Sequence, residues 1–243
     1  AVHCRYCFRR EFPYADANPR RDAWDTALRY IAADPSIGEV ILSGGDPLSL
    51  TDGVLADLAG RIAAIPHVGI LRIHTRLPVV VPARVDPALC DWLAATRLRT
   101  VTVLHANHAR ELDDDAAAAC ERLRATGTHL LNQAVLLAGV NDAVTALEDL
   151  SWRLFACGVL PYYLHLLDPV RGASHFDVPA EPARRLLAQL SGRLPGYLVP
   201  RLVREEAGRP GKTPLSHAWD DAGQPPVPGR ADNRDTARGF GTP

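Results

Sequence analysis

The sequence predicts an α/β fold in which a parallel sheet, curled into a whole or partial barrel, is wrapped by helices. Three observations predict it. Short apolar runs rich in β-branched residues alternate with helix-length amphipathic segments, and the links between them are short. Polar residues gather where the predicted strands end, which is where barrel enzymes carry their active sites. No GxGxxG fingerprint follows any strand, which disfavours an open doubly wound sheet built around a dinucleotide.

Taken in order, strands are predicted at 39–43, 69–74, 99–105, 129–136, 160–167 and 197–202. Helices are predicted at 21–33, 52–65, 87–95, 113–126, 142–157 and 179–190. Start signals precede several helices: Thr51-Asp52, Asp86-Pro87 and Asn141-Asp142, each followed by an apolar period. Gly127 and Gly158 stand where a helix needs a residue of positive φ just past its end. The polar strand ends are Ser43-Gly44-Gly45-Asp46, His74-Thr75-Arg76, His105-Ala106-Asn107-His108, Asn132-Gln133 and the stretch from His165 to Asp168. Past residue 215 the periodicity disappears under Pro, Gly, Asp and Arg. A disordered or weakly ordered tail is therefore expected over 216–243, after a core over 1–215.

A chain of 243 residues suits one such domain, and 47% hydrophobic with 23% charged residues is ordinary globular composition. The net charge of −1 offers no electrostatic footprint for nucleic acid or an anionic membrane. The most apolar stretch, 65–83, is broken by His67, Arg72, His74 and Arg76, so no membrane span is expected. Five scattered cysteines are too few for a disulfide framework, and the start of the chain is no signal peptide; both point to the cytoplasm. Lys212 is the single lysine among 27 basic residues. An Arg-rich genome explains the ratio, but a primary amine does chemistry that a guanidinium cannot.

Cys4-Arg5-Tyr6-Cys7 is a CxxC with three open readings: half of a zinc site, a redox dithiol, or part of an iron–sulfur site needing a further thiolate. The glycines of Ser43-Gly44-Gly45-Asp46 permit close approach of backbone to a ligand, with the carboxylate available for an ammonium; a plain turn is the alternative. Lys212 sits in a Gly- and Pro-rich loop past the last strand, suited to a covalent bond with an aldehyde cofactor such as pyridoxal 5′-phosphate (PLP), against a solvated surface lysine. Asp168 and Glu205 would put two carboxylates in one pocket, or else occupy exposed turns. Arg9 and Arg10 suit a carboxylate or phosphate clamp or a solvated basic turn. His105 and His108 either face a ligand or are hydrogen-bonded core residues. Cys90, Cys120 and Cys157 fall in helical apolar patterns and read as packing residues.

Seven landmarks in order over about residues 1–215 resemble the radical S-adenosylmethionine (SAM) enzymes of the lysine 2,3-aminomutase family. They are Cys4 to Arg10, Ser43 to Leu48, Leu71 to Pro78, His105 to His108, Leu131 to Leu137, Pro161 to Asp168 and Gly211 to Leu215. The resemblance is greatest to the short bacterial branch whose β-lysine serves modification of elongation factor P. It implies a partial (β/α)6-type, TIM-like barrel of the radical SAM type, with the first strand lying ahead of this sequence. It implies that Cys4 and Cys7 are the second and third ligands of a [4Fe–4S] cluster. The first cysteine is then expected immediately before Ala1, so the sequence is expected to be cut short. The resemblance further implies that Gly44, Gly45 and Asp46 receive SAM, that Lys212 carries PLP, and that Arg9 grips the substrate carboxylate. Asp168 and Glu205 would hold the ε-ammonium of lysine, Glu205 standing where the longer enzymes have Asp. Nothing matches the terminal CxCxxC zinc site of those longer enzymes, and Ala143 stands at another zinc-cysteine position, so no zinc is expected. The activity implied is transfer of the amino group of lysine from C2 to C3, with a functional link to elongation factor P and its lysyl-transferring enzyme. An aminomutase for another amino acid, such as glutamate, is disfavoured by the two acids. A non-catalytic remnant that binds PLP or a partner protein is the remaining alternative.

Overall fold

A computed structural model describes residues 4–7, 21–206 and 208–215. Arg9 and the segment 216–243 lie outside these residues. Strands β1 (Glu39–Leu42), β2 (Ile70–His74), β3 (Arg99–His105), β4 (His129–Val135), β5 (Leu160–His165), β6 (Arg201–Arg204) and β7 (Thr213–Pro214) form one sheet in sequence order. The first six are mutually parallel; β7 turns back and pairs antiparallel with β6. Helices α1 (Arg21–Ala33), α2 (Asp52–Ala63), α3 (Leu77–Val80), α4 (Pro87–Ala95), α5 (Asp114–Ala125), α6 (Val144–Ala156) and α7 (Ala180–Ser191) fill the crossovers.

Burial explains why the sheet is covered on one face. Along β2, Leu71 and Ile73 are buried, while Ile70, Arg72 and His74 alternate toward the other side. The parallel register carries this alternation across the sheet, so Leu104, Leu130, Leu164 and Leu202 join the same core. The helices meet it with apolar stripes of helical period: Leu55, Leu58, Ala59 and Ile62 on α2, and Leu147, Leu150 and Leu154 on α6. Arg97 finishes the end of α2 by donating to the carbonyls of Ala63, Ile65 and Val68 at 2.7, 2.6 and 2.9 Å. The first belongs to the last residue of α2, whose carbonyl the helix leaves without an internal partner, and the other two lie in the loop that follows. Asp86 and Asp113 cap α4 and α5 through the amides of Leu89 and Ala116, both at 2.9 Å. Gly127 and Gly158 follow α5 and α6 with φ of 85° and 72°, the conformation expected of them.

Three expectations need correction. The last parallel strand is Arg201–Arg204; Tyr197 instead lies in a 3-10 turn, Gly196–Leu198, that Pro195 initiates. Helix α6 starts at Val144 rather than at Asp142, because the Asn141 side chain is recruited elsewhere. Of the three helical cysteines, Cys120 and Cys157 are buried and Cys90 only partly so.

The face away from the helices bears Arg72 and His74 of β2, Val103 and His105 of β3, Gln133 of β4, Tyr163 and His165 of β5, and Val203 of β6, the two valines being buried. Asn132 and Gln133 do not align with one residue each: Pro161 pairs with Asn132 and Tyr163 with Gln133, leaving Tyr162 as the extra residue of a bulge. The sheet curls toward this face.

Candidate active site

The carboxyl ends of the strands carry a continuous row of polar groups from Cys4 to Lys212. At one end, Cys4 to Cys7 form a tight turn closed by the Cys7 amide on the Cys4 carbonyl at 3.2 Å. Arg76, at the end of β2, donates through Nη1 to Cys4 Sγ and through Nη2 to Glu111 Oε2 at 2.9 Å. The other oxygen of Glu111 accepts the amides of Asn107 and His108 at 2.7 and 3.0 Å. A guanidinium is thereby aimed at the sulfur by a carboxylate that is itself anchored to backbone. Tyr6 stacks on His105 at 6.2 Å between centroids, its hydroxyl 3.1 Å from Nε2, and the same hydroxyl accepts from the Asn107 amide. Burial, then the neighbouring Cys4, raises the Tyr6 phenol above its ordinary value. Burial pushes His105 down to about 3, with the charge of Arg76 adding to the effect, so the ring is neutral.

Gly44, Gly45 and Asp46 follow β1. Gly44 has φ of 133°, which an L side chain rarely adopts, so the glycine is required by the turn. The Asp46 carboxylate is engaged by the protein itself. Oδ1 accepts the Leu48 amide at 3.0 Å and the Thr75 hydroxyl at 2.7 Å, and Oδ2 accepts the Arg76 amide at 2.8 Å. These bonds tie the glycine turn to the end of β2.

At the other end, pairing of Arg204 with Thr213 brings Glu205 opposite Lys212, and the lysine ammonium forms an ion pair with Glu205. The amine stands 5.5 Å from the centroid of the Tyr163 ring. Asp168, half-buried past β5, is held above the ordinary carboxylate range by burial and by the charge of Glu205, with Lys212 opposing. His165 is pushed down to about 4, chiefly by burial and next by Lys212. A cleft of about 530 Å³ opens beside β6 and β7, lined by Tyr163, Arg201, Val203, Lys212 and Pro214 with Leu187 of α7.

The structure thus groups Lys212, Glu205 and Asp168, as the sequence suggested, and puts Cys4, Cys7 and the Gly44 turn at the same end of the sheet. A half-buried amine beside an aromatic ring suits an aldehyde cofactor in its chemistry, while the cleft runs from Lys212 along α7 and the start of β6 and takes in neither Glu205 nor Asp168. The cysteine pair fits an iron–sulfur cluster in ligand type but not in number. Among the described residues no group of three His, Cys, Asp or Glu side chains could hold a metal ion. Asn132 is corrected. It points to the helix side of β4, 2% exposed, and clamps Ala106 by bonds to its amide and carbonyl at 2.9 and 3.0 Å.

Sequence reasoning missed Glu111, Asn141 and the parts played by Arg76 and Asn107. Asn141 accepts the Leu137 amide at 2.7 Å and donates to the carbonyls of Asn107 and Val135, both at 2.9 Å. Asn107 in turn accepts the Val135 amide at 2.8 Å. One signal was available: His108 and Glu111 have the spacing of a capping box, and the structure forms one.

A one-sided parallel sheet whose carboxyl ends carry a CxxC turn and a glycine turn is the framework of radical SAM enzymes. A radical SAM methyltransferase from Sphaerobacter thermophilus shares the fold, with a TM-score of 0.50 and 20% identity over 76% of this chain and 55% of that one. No protein-family profile matches the chain. Proteins named L-lysine 2,3-aminomutase do match: that of Escherichia coli K12 is 51% identical over 215 residues and that of Haemophilus influenzae 54% over 214. The one from Clostridium subterminale is 37% identical over 216 residues. Each alignment takes in 88% of this chain. Over most of its own length the chain is similar to lysine 2,3-aminomutases. It spans 63% of the length of the Escherichia coli and Haemophilus relatives and 52% of the clostridial one. Among the described residues no helix is long and apolar enough to cross a membrane.

Proposed function

We propose that this chain carries the substrate- and PLP-binding core of a lysine 2,3-aminomutase that moves the amino group of L-lysine from C2 to C3. The observation that carries this reading is the grouping of the chain's single lysine with Glu205 and Asp168 at the sheet's carboxyl end. The names of relatives above 50% identity support it. SAM and a [4Fe–4S] cluster would supply a hydrogen-abstracting radical, and PLP would delocalise it while the nitrogen moves. For the cluster the described residues offer two neighbouring cysteines, Cys4 and Cys7.

The chain's own groups bind and orient. Lys212 holds PLP through its ε-amine. The backbone of Gly44 and Gly45, fixed by Asp46, receives the amino end of SAM. Asp168 and Glu205 hold the ε-ammonium of lysine, two half-shielded acids being costly until a cation sits between them. Neutral His105 and His165 line the floor without repelling a cationic substrate. Arg9, outside the described residues, is assigned to the substrate carboxylate. We further assign the product to modification of elongation factor P, the role of the branch the sequence resembles. The assigned setting is the cytoplasm, where five free thiols are stable.

The experiment adds PLP to the protein, reduces with borohydride, digests, and locates the pyridoxyl adduct by mass spectrometry. The adduct is expected on the peptide containing Lys212 and absent from Lys212→Arg. An adduct confined to the N-terminal amine would refute the reading.

A further inference from the structure

The ion pair between Lys212 and Glu205 has a consequence for the order in which the site fills. We propose that Glu205 is a shared carboxylate: Lys212 holds it in the empty site, and it opens to the distal ammonium of the substrate only after a cofactor aldehyde takes the lysine amine. The cation-selective pocket is then assembled by cofactor loading, and lysine binds second. This rests on the functional reading above.

The contact is built into the fold. Val203 pairs with Pro214 and Arg204 with Thr213, so Glu205 and Lys212 are the next cross-strand neighbours of the β6–β7 hairpin. Lys212 presents to Glu205 a primary ammonium on a four-carbon stem, the same group that a lysine substrate carries. The other ionisable groups around the amine are accounted for. Asp168 and His165 approach from the end of β5, Tyr163 lies beneath, and Glu206 is turned away to the Thr213 hydroxyl at 2.7 Å and to Arg209 at 3.6 Å. Asp168 experiences Glu205 as a repelling charge and Lys212 as an attracting one, so the three form one electrostatic unit. Condensation of the neutral amine with an aldehyde forms a C=N bond and releases water, the ammonium proton having passed to solvent. Drawing Nζ to the aldehyde carbon removes it from Glu205 and leaves two carboxylates facing each other. A second ammonium resolves that repulsion.

With a single lysine in the chain, its availability can be read directly. The protein is methylated with ¹³C-formaldehyde and cyanoborohydride, a small neutral probe that needs no cofactor pocket, and the lysine signal is followed by NMR. Glu205→Gln should be methylated about two- to fivefold faster than wild type, as expected for release from a partly exposed ion pair. Added salt should speed the wild type and leave the variant unmoved, while Glu206→Gln should match wild type. In a second arm, propylammonium is titrated against wild-type protein and against Lys212→Gln, which takes the competing ammonium off Glu205. Binding should be several-fold tighter to the variant. Equal methylation rates at all salt concentrations, or equal propylammonium affinities, overturn the proposal. If Glu205→Gln does not fold, a salt-independent wild-type rate overturns it alone. Failure of Lys212 to take the pyridoxyl group overturns the functional reading instead, and the methylation rates separate the two outcomes.

Discussion

Replacing Asp46 separates two roles for a carboxylate that the sequence could only present as a ligand group. In Asp46→Asn, the retained oxygen can still accept the Leu48 amide and the Thr75 hydroxyl, but an NH2 group now faces the Arg76 amide that Oδ2 accepted at 2.8 Å. One buried donor is orphaned and charge assistance is lost, a cost of about 1.5–3 kcal/mol. In Asp46→Ala all three partners are released. Thr75 is 4% exposed and cannot recover its bond from water, which raises the cost to about 3–5 kcal/mol. Urea unfolding followed by tryptophan fluorescence should rank the proteins wild type, Asn, Ala in falling midpoint, with unchanged slope. SAM affinity, measured by calorimetry, should fall in the same order, because the glycine turn loses its tie to β2. Variants with wild-type midpoints that lose SAM binding alone would refute the argument and return the carboxylate to the ligand.

Two further outcomes follow from the same geometry. Asn141→Ala, at a site with no exposure, leaves one amide and two carbonyls unpaired and should cost about 3–5 kcal/mol in urea unfolding; a loss below 1 kcal/mol would contradict the network. His165 has a folded pKa of about 4 against an ordinary 6.5, so the unfolded chain binds the extra proton between these values. Stability is therefore complete above pH 6.5 and falls as pH drops toward 4, and His165→Gln should flatten that segment of the stability–pH curve; parallel curves would refute it.

How much of this was legible depended on whether the deciding interaction was local. Helix α1 and strand β3 were readable to the residue because periodicity and turn residues are local signals. The run at 197–202 misled because Pro195 and Pro200 confine its first residues to a tight turn, which apolar content does not reveal. Leu77–Val80, for which the sequence predicts no element, forms a single helical turn with Pro78 in its first positions. Asn141 looks like a helix cap until Leu137, Val135 and Asn107 are in place around it. The residue types at the site were visible, whereas the use of Asp46 was not, since Thr75 and Arg76 lie far along the chain and only the sheet brings them alongside.

The extra residue at Tyr162 decides the parity of everything after it in β5. Leu160 and Pro161 keep one alternation with β4; beyond the bulge the odd-numbered residues, Tyr163 and His165, face inward and Leu164 joins the core. Unbroken alternation from Leu160 would have sent Leu164 inward and turned His165 toward the helices. A single unpaired residue thus works as a phase shifter, exchanging an aliphatic lining for the aromatic ring beneath Lys212 and the imidazole beside it. The groups that face the mouth of the sheet from β5 depend on an irregularity earlier in the same strand.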